Sequence, residues 1–304
     1  MLFFFLLLVS CEQELRYTGD ESEPVLVLEA LPQAGSDSLT CYINRSRFFL
    51  DNTKTDPASL AKLSIELTTS SGACRIVRDS VVDFVHHLTL SAPLPAGDTL
   101  HLTVSHPDFP TIEAAEYIVP ACEPTFESVT RDTTGGYHVT LRLPEYAYKN
   151  GRIGINGTLY TTYTSVLKDS TISREYTQTV MKSKDAIFAS LNSFFLLYQS
   201  YMAYADKGER LFFYSDYTPD TRLHLFFECP ADNEKLTFHL DSIVLDIEAR
   251  SATYTRYYAS LQAYMNQNSD GSGMSIEEPV SVYTNISNGY GILAAKTNSQ
   301  LIIK

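Results

Sequence analysis

The plainest chemistry in this chain belongs to Cys11. It ends the run Leu8-Val9-Ser10-Cys11, which follows the uncharged stretch Met1-Leu2-Phe3-Phe4-Phe5-Leu6-Leu7. An apolar segment of roughly 7–15 residues is the membrane-entering part of a secretory leader. Small residues before the cysteine fit a lipoprotein signal peptidase, and the freed thiol then carries diacylglycerol. Residues 1–10 are therefore expected to be a signal peptide, with Cys11 as the lipid attachment site. The usual basic residues before the apolar run are missing. The competing reading, an N-terminal element buried in a core, fits poorly with the polar stretch at residues 12–23 (EQELRYTGDESE). The run is also far short of the about 20 apolar residues that span a bilayer. Several acyl chains suffice for stable attachment, so the expected state is anchored rather than threaded.

Other chemistry was sought at the remaining reactive residues. Cys41, Cys74, Cys122 and Cys229 can oxidise in an exported protein, with three possible pairings, or remain buried thiols. Cys41 shares a face with Leu39 and Ile43, which suits a small core residue. The seven histidines show no metal-ligand spacing. His101 and His239 fall on the polar parity of alternating strands. No nucleophile elbow, phosphate loop or dinucleotide fingerprint appears, and no cofactor is implied. Glu277-Glu278 would point to opposite faces of a strand. One segment partly matches a calcium loop: Asn266, Asn268 and Asp270 at positions 1, 3 and 5, Gly271 at 6 and Glu277 at 12. Asn replaces Asp at the first position and Gly273 stands where an apolar residue belongs. A plain Asn/Asp/Gly/Ser loop is the favoured account, and calcium the weak alternative. No catalytic constellation emerges, so the chain reads as non-enzymatic.

These residues need a frame. The 304 residues carry 36 acidic against 23 basic side chains, a formal net charge of -13. Such a chain repels phosphate backbones, which argues against nucleic-acid binding. The absence of Trp beside 20 Tyr and 16 Phe leans towards β structure. Residues 11–23 read as an acidic flexible tether. Residues 24–120 hold short alternating strands with Gly/Pro punctuation, the pattern of a β-sandwich. Val119-Pro120-Ala121-Cys122-Glu123-Pro124 then reads as a stiff linker.

Residues 125–304 read as a β-rich domain carrying two amphipathic helices. The first is expected over 185–205, where Ile187, Leu191, Phe194, Tyr198 and Tyr201 recur at helical spacing. The second is expected near 253–265, with Tyr254, Tyr257, Tyr258, Leu261 and Tyr264 on one stripe. Between them, Leu236, Phe238 and Leu240 occupy one parity, and Ile243, Leu245 and Ile247 the other. A bulge near Asp241-Ser242 would unite the two sets on one core face. The tyrosines could also form an exposed sugar- or peptide-binding platform, but burial of the helical stripes is the simpler account.

Four stretches together resemble a known family. They are the acidic residues after Cys11, the strand Val25-Leu26-Val27-Leu28-Glu29, the segment Leu211-Phe212-Phe213-Tyr214-Ser215-Asp216, and the run from Tyr257-Tyr258 through Glu278-Pro279-Val280 to Asn285-Ile286-Ser287-Asn288-Gly289-Tyr290-Gly291-Ile292. They are similar to the Bacteroidota lipoproteins of domain of unknown function 4249, although Tyr290 and Leu293-Ala294 depart from the usual choices there. The resemblance implies an immunoglobulin- or transthyretin-like N-terminal module, an outer-membrane location, and an accessory role beside a TonB-dependent transporter. Glu12 and Glu14 resemble a surface-export signal, which implies the cell exterior. It implies no catalytic residues. The alternative function is a stand-alone glycan- or peptide-binding surface lipoprotein. A hydrolase ranks last. By physics alone, Asn288-Gly289 reads as a tight turn rather than a ligand site.

Overall fold

Alternating sequence becomes two β cores joined by a returning strand. The computed structural model describes residues 23–47, 60–167, 170–188, 203–205, 210–269 and 281–304. Cys11, Asp270 and Glu277 lie outside them.

In the first core, β1 (Leu26–Ala30), β2 (Ser38–Arg45), β5 (Val85–Leu90) and β4 (Ile76–Val82) are neighbours in that order. A second sheet runs β3 (Ser64–Thr69), β6 (Thr99–His106), β7 (Phe109–Tyr117). The period-2 pattern explains the packing. Leu39, Cys41 and Ile43 point inward from β2, as Leu100, Leu102 and Val104 do from β6, and all join one buried cluster.

The second core again has two sheets. One runs β13 (Ala203–Ala205), β12 (Met181–Ser183), β15 (Arg222–Phe227), β9 (Tyr137–Arg142), β8 (Thr125–Arg131). The other runs β11 (Ser170–Gln178), β10 (Arg152–Leu167), β16 (Leu236–Arg250), β18 (Lys296–Ile303), with β14 (Leu211–Tyr214) beside the start of β10. Here the parity switch in β16 has its physical cause. Tyr160 pairs with Ser242 and Thr161 with Leu240, so Asp241 is the extra residue of a bulge. Phe238 and Leu245 consequently reach the same core face.

The helical spacing over 185–205 does not describe the structure. Ala186–Phe188 is a 3-10 turn, and Ala203–Ala205 is a strand pairing Met181 with Ala205 and Ser183 with Ala203. Residues 189–202 lie outside the described residues. The expectation failed because this run is dense in Phe, Leu and Tyr, and in a dense apolar run any period can be found. Instead Phe188 is fully buried edge-on to Phe213, with ring centroids 5.7 Å apart. Among the described residues the only α-helix is α1 (Ala252–Ser269). The mainly-β reading stands, but the two-helix reading does not.

Ser251 caps α1. Its hydroxyl accepts the Tyr254 N–H at 3.1 Å, and its carbonyl accepts the Thr255 N–H at 3.1 Å. Tyr254 is buried against Ile292 and Ala294, with Tyr257 and Tyr258 packed beside it. Burial thus accounts for the first half of the tyrosine stripe, whereas Tyr264 is 46% exposed.

The segment 281–304 belongs to both cores. β17 (Tyr290–Leu293) pairs parallel with β1, from Val27–Tyr290 to Ala30–Leu293. Ile286 and Leu293 complete the first core. Immediately afterwards β18 enters the second. Thr297 donates its hydroxyl to the Val119 carbonyl at 2.6 Å, and Ser299 donates to that of Cys122 at 2.6 Å. The proline-bearing stretch 119–124 is therefore clamped rather than free, with Val119 and Cys122 fully buried.

All four cysteines of the folded body are buried and unpaired. Burial pushes the thiols of Cys41 and Cys122 up to about 12. Thiolate is the reactive form. Native protein at pH 8 should therefore react with a maleimide at none of Cys41, Cys74, Cys122 and Cys229, and at all four in denaturant. Mass spectrometry of labelled peptides checks this, and fast native labelling would contradict the buried placement.

Candidate functional site

One face of β10 carries Ile153, Ile155, Gly157, Leu159, Thr161, Tyr163 and Ser165 in alternation. The facing sheet covers this face as far as Phe227, whose ring lies over Gly157. A methyl group at Gly157 would approach that ring to 2.6 Å, so the glycine lets the two sheets close. Leu159 and Thr161, next on this face, are still fully buried, and beyond them the β10–β11 hairpin outruns its cover, leaving Tyr163 and Ser165 half-buried.

The result is a ledge of aromatic side chains. Tyr163 on β10 pairs across the sheet with Phe238 and with Arg174, and Ser165 pairs with Leu236 and Ile172. Phe238 forms the floor and is 6% exposed. Tyr163 tilts against it at 5.5 Å, and Tyr176 meets it edge-on at 5.7 Å. Together they bound a hollow of about 460 Å³. Tyr176 also lines a second hollow of about 390 Å³, shared with Gln178, Phe226, Glu228 and Thr134.

The rim is held by charge. Arg131 donates to both carboxylate oxygens of Asp232, at 3.0 and 2.8 Å, and to the carbonyls of Pro230 and Phe238, each at 3.1 Å. That guanidinium holds the Asp232 carboxyl below its ordinary value. On the second hollow, His138 contacts Asp132 at 2.9 Å and tilts over Phe226 at 4.8 Å. Lys182 is paired with Glu228. Cys229 also lines this hollow, but burial raises its thiol, which disfavours the nucleophilic thiolate.

Chemically, this arrangement offers flat apolar faces flanked by amide, hydroxyl and carboxylate groups. It can stack on the C–H face of a sugar ring or on an apolar side chain, and hydrogen-bond its periphery.

The sequence marked Phe238 only as a core-facing residue and did not single out Tyr163 or Tyr176. The usable signal was the polar break Lys168-Asp169 between two runs, which marks a hairpin. The residues it did single out lie elsewhere. His101 is exposed and contacts the Ser70 hydroxyl at 3.2 Å, and His239 is exposed. Asn266 and Asn268 belong to the last turns of α1 rather than to a loop. Asp270 and Glu277, the other members of the calcium-loop candidate, fall outside the described residues. Among the described residues, no group of three or more His, Cys, Asp or Glu is arranged to hold a metal ion.

The Asn285 to Gly291 segment is a structural clasp. Asn285 donates its amide to the Leu293 carbonyl at 2.8 Å and accepts the Leu293 N–H at 3.0 Å. Asn288 takes a positive φ of 57°. Gly289 does not, but a side chain there would meet the Leu26 carbonyl and Ile112 at 2.6 Å. The signature residues thus seat β17 beside β1.

No curated protein matches the chain. The sequence profile of a family described only as a domain of unknown function, DUF4249, matches residues 12–302. That span runs from the residue after Cys11 into β18 and takes in both cores, so the chain belongs to the DUF4249 family.

Proposed function

We propose that this protein is a lipid-anchored outer-membrane lipoprotein, exposed at the cell surface, that acts without catalysis as an accessory or binding partner of a TonB-dependent nutrient transporter. The observation that carries this reading is the junction at Cys11. A lipobox ends there, and the family match begins at the next residue. The acidic tether that follows would hold the body away from anionic headgroups. Cys11→Ser should move the protein from the envelope pellet to the soluble fraction. Affinity purification of the native protein from outer membranes should bring down a β-barrel. Full retention of the serine variant in the pellet, or an intact mass showing an unmodified leader, would overturn the reading.

The aromatic ledge favours a second reading, in which the body itself captures a glycan or peptide. Tyr163→Ala should weaken binding of such a ligand about tenfold, the 1.4 kcal/mol scale of one aromatic contact. The same variant should leave the fold's cooperative melting intact. Equal affinity in the variant would remove the ledge from consideration.

A further inference from the structure

We propose that the outer face of the β10–β16 sheet binds a multiply charged oxyanion of the phosphate class. On that face Tyr214, Arg152, Arg250 and Lys296 stand in one cross-strand row. The next row is Phe212, Gly154, Glu248 and Asn298. Gly154 leaves a gap that its neighbours fill. A Cβ there would meet the Phe212 ring at 2.5 Å and the Arg210 side chain at 2.9 Å. The Arg250 guanidinium lies 4.4 Å from the Phe212 ring centroid and 4.9 Å from that of Tyr254. Arg152 stacks 5.7 Å from the Tyr214 ring. Arg152 on β10, Arg250 on β16 and Arg210 just before β14 thus bring three guanidinium side chains to the face that holds Gly154, with Lys296 at the row's end.

Among the described residues, the carboxylate that answers them is Glu248. Glu248 is 6% exposed at its side chain and contacts Arg250 at 2.5 Å and Lys296 at 3.9 Å. Asp246, one row on, accepts from the Gln300 amide at 2.9 Å. Like charges directly opposed across strands destabilise a sheet. In a chain where acids outnumber bases by 36 to 23, gathering four cations about one acid runs against the overall composition.

A second observation points the same way. The Nε atoms of Arg152 and Arg210 are buried and have no hydrogen-bond acceptor. Buried polar atoms in folded proteins nearly always have one. An oxyanion with several acceptor oxygens would satisfy both and relieve the repulsion. Guanidinium groups held by ring stacking are pre-oriented for forked hydrogen bonds to such a group. The excess of three positive charges suits a phosphate dianion better than a single carboxylate. Its source is either a free phosphorylated ligand or a phosphorylated lipid headgroup.

The test uses the full chain, titrated calorimetrically with inorganic phosphate and pyrophosphate. In parallel it is sedimented with phosphatidylcholine vesicles, with and without phosphatidic acid. Binding of the free anions, weakening as sodium chloride rises, supports the site and identifies a soluble source. Binding only to phosphatidic acid vesicles supports it and identifies a headgroup. The double variant Arg152→Gln/Arg210→Gln should lose at least tenfold in affinity, while Arg75→Gln/Arg78→Gln, at exposed positions elsewhere, should lose none. A site held in tension for a ligand also predicts that the first variant is no less stable than wild type without anion. No binding in either arm, equal loss in the control variant, or a less stable Arg152/Arg210 variant would each overturn the proposal.

Discussion

Gly291→Ala should lower folding stability by about 4 kcal/mol, combining backbone strain with overpacking. Gly291 sits at φ +104°, which L side chains rarely adopt, and a Cβ there would fall 1.9 Å from the Leu28 carbonyl oxygen. That carbonyl belongs to β1, the strand against which β17 runs, so the collision cannot be relieved by turning a side chain. The parallel pairing must open. Ile286 and Leu293 then leave the first core, and the Asn285–Leu293 hydrogen bonds are lost with them. Urea unfolding measures the effect. Gly35→Ala is the comparison, since Gly35 also has a positive φ, at 79°, but nothing lies within 4 Å of its Cβ position. That substitution should cost about 1–2 kcal/mol, the conformational part alone. Equal effects at the two sites would show that the β1–β17 contact is not under the constraint described.

Glu248→Gln should cost about 3 kcal/mol or more, because removing one partner of a buried ion pair leaves the other uncompensated. The glutamine keeps a hydrogen-bond acceptor for Arg250 but removes the negative charge that pairs both Arg250 and Lys296. The loss should shrink when phosphate is added, since an oxyanion bound to this face substitutes for the missing carboxylate. Asp246→Asn, on the same face but bound to Gln300, should change stability by less than about 1 kcal/mol. A Glu248 variant no worse than the Asp246 variant would mean that the cations are screened by solvent rather than held by the carboxylate.

How far the chain can be read without its structure depends on distance along it. The β16 bulge was legible because two hydrophobic parities met within a dozen residues, and only one irregularity reconciles them. α1 was legible because the tyrosine stripe sits inside one helix, although its end ran past the expected residue 265 into the asparagines of the calcium-loop candidate. The helix expected over 185–205 gave way, at its described ends, to a 3-10 turn at Ala186–Phe188 and a strand at Ala203–Ala205, because apolar density hides periodicity. Both surface sites escaped for a different reason. Residues 152, 250 and 296 share a row only through strand register, and Arg210 joins their face from the segment before β14, which no local pattern encodes. The ledge depends on where one sheet stops covering another, and counting tyrosines does not reveal that. Likewise Asn288-Gly289 reads as a local turn, while its purpose is a pairing with a strand near the other end of the chain.

That pairing has a consequence for biogenesis. Leu26–Ala30 is synthesised early, and its parallel neighbour Tyr290–Leu293 arrives only after both cores have been made. Non-local partnerships of this kind fold slowly, because the intervening chain must be ordered first. Until then the early sheet has a bare edge and an unfilled core, states that invite aggregation. For the exported chain proposed above, that delay would keep the polypeptide unfolded for transit through a translocon. On the far side such a chain would need a holdase, and under the proposed export periplasmic chaperone depletion should leave it insoluble.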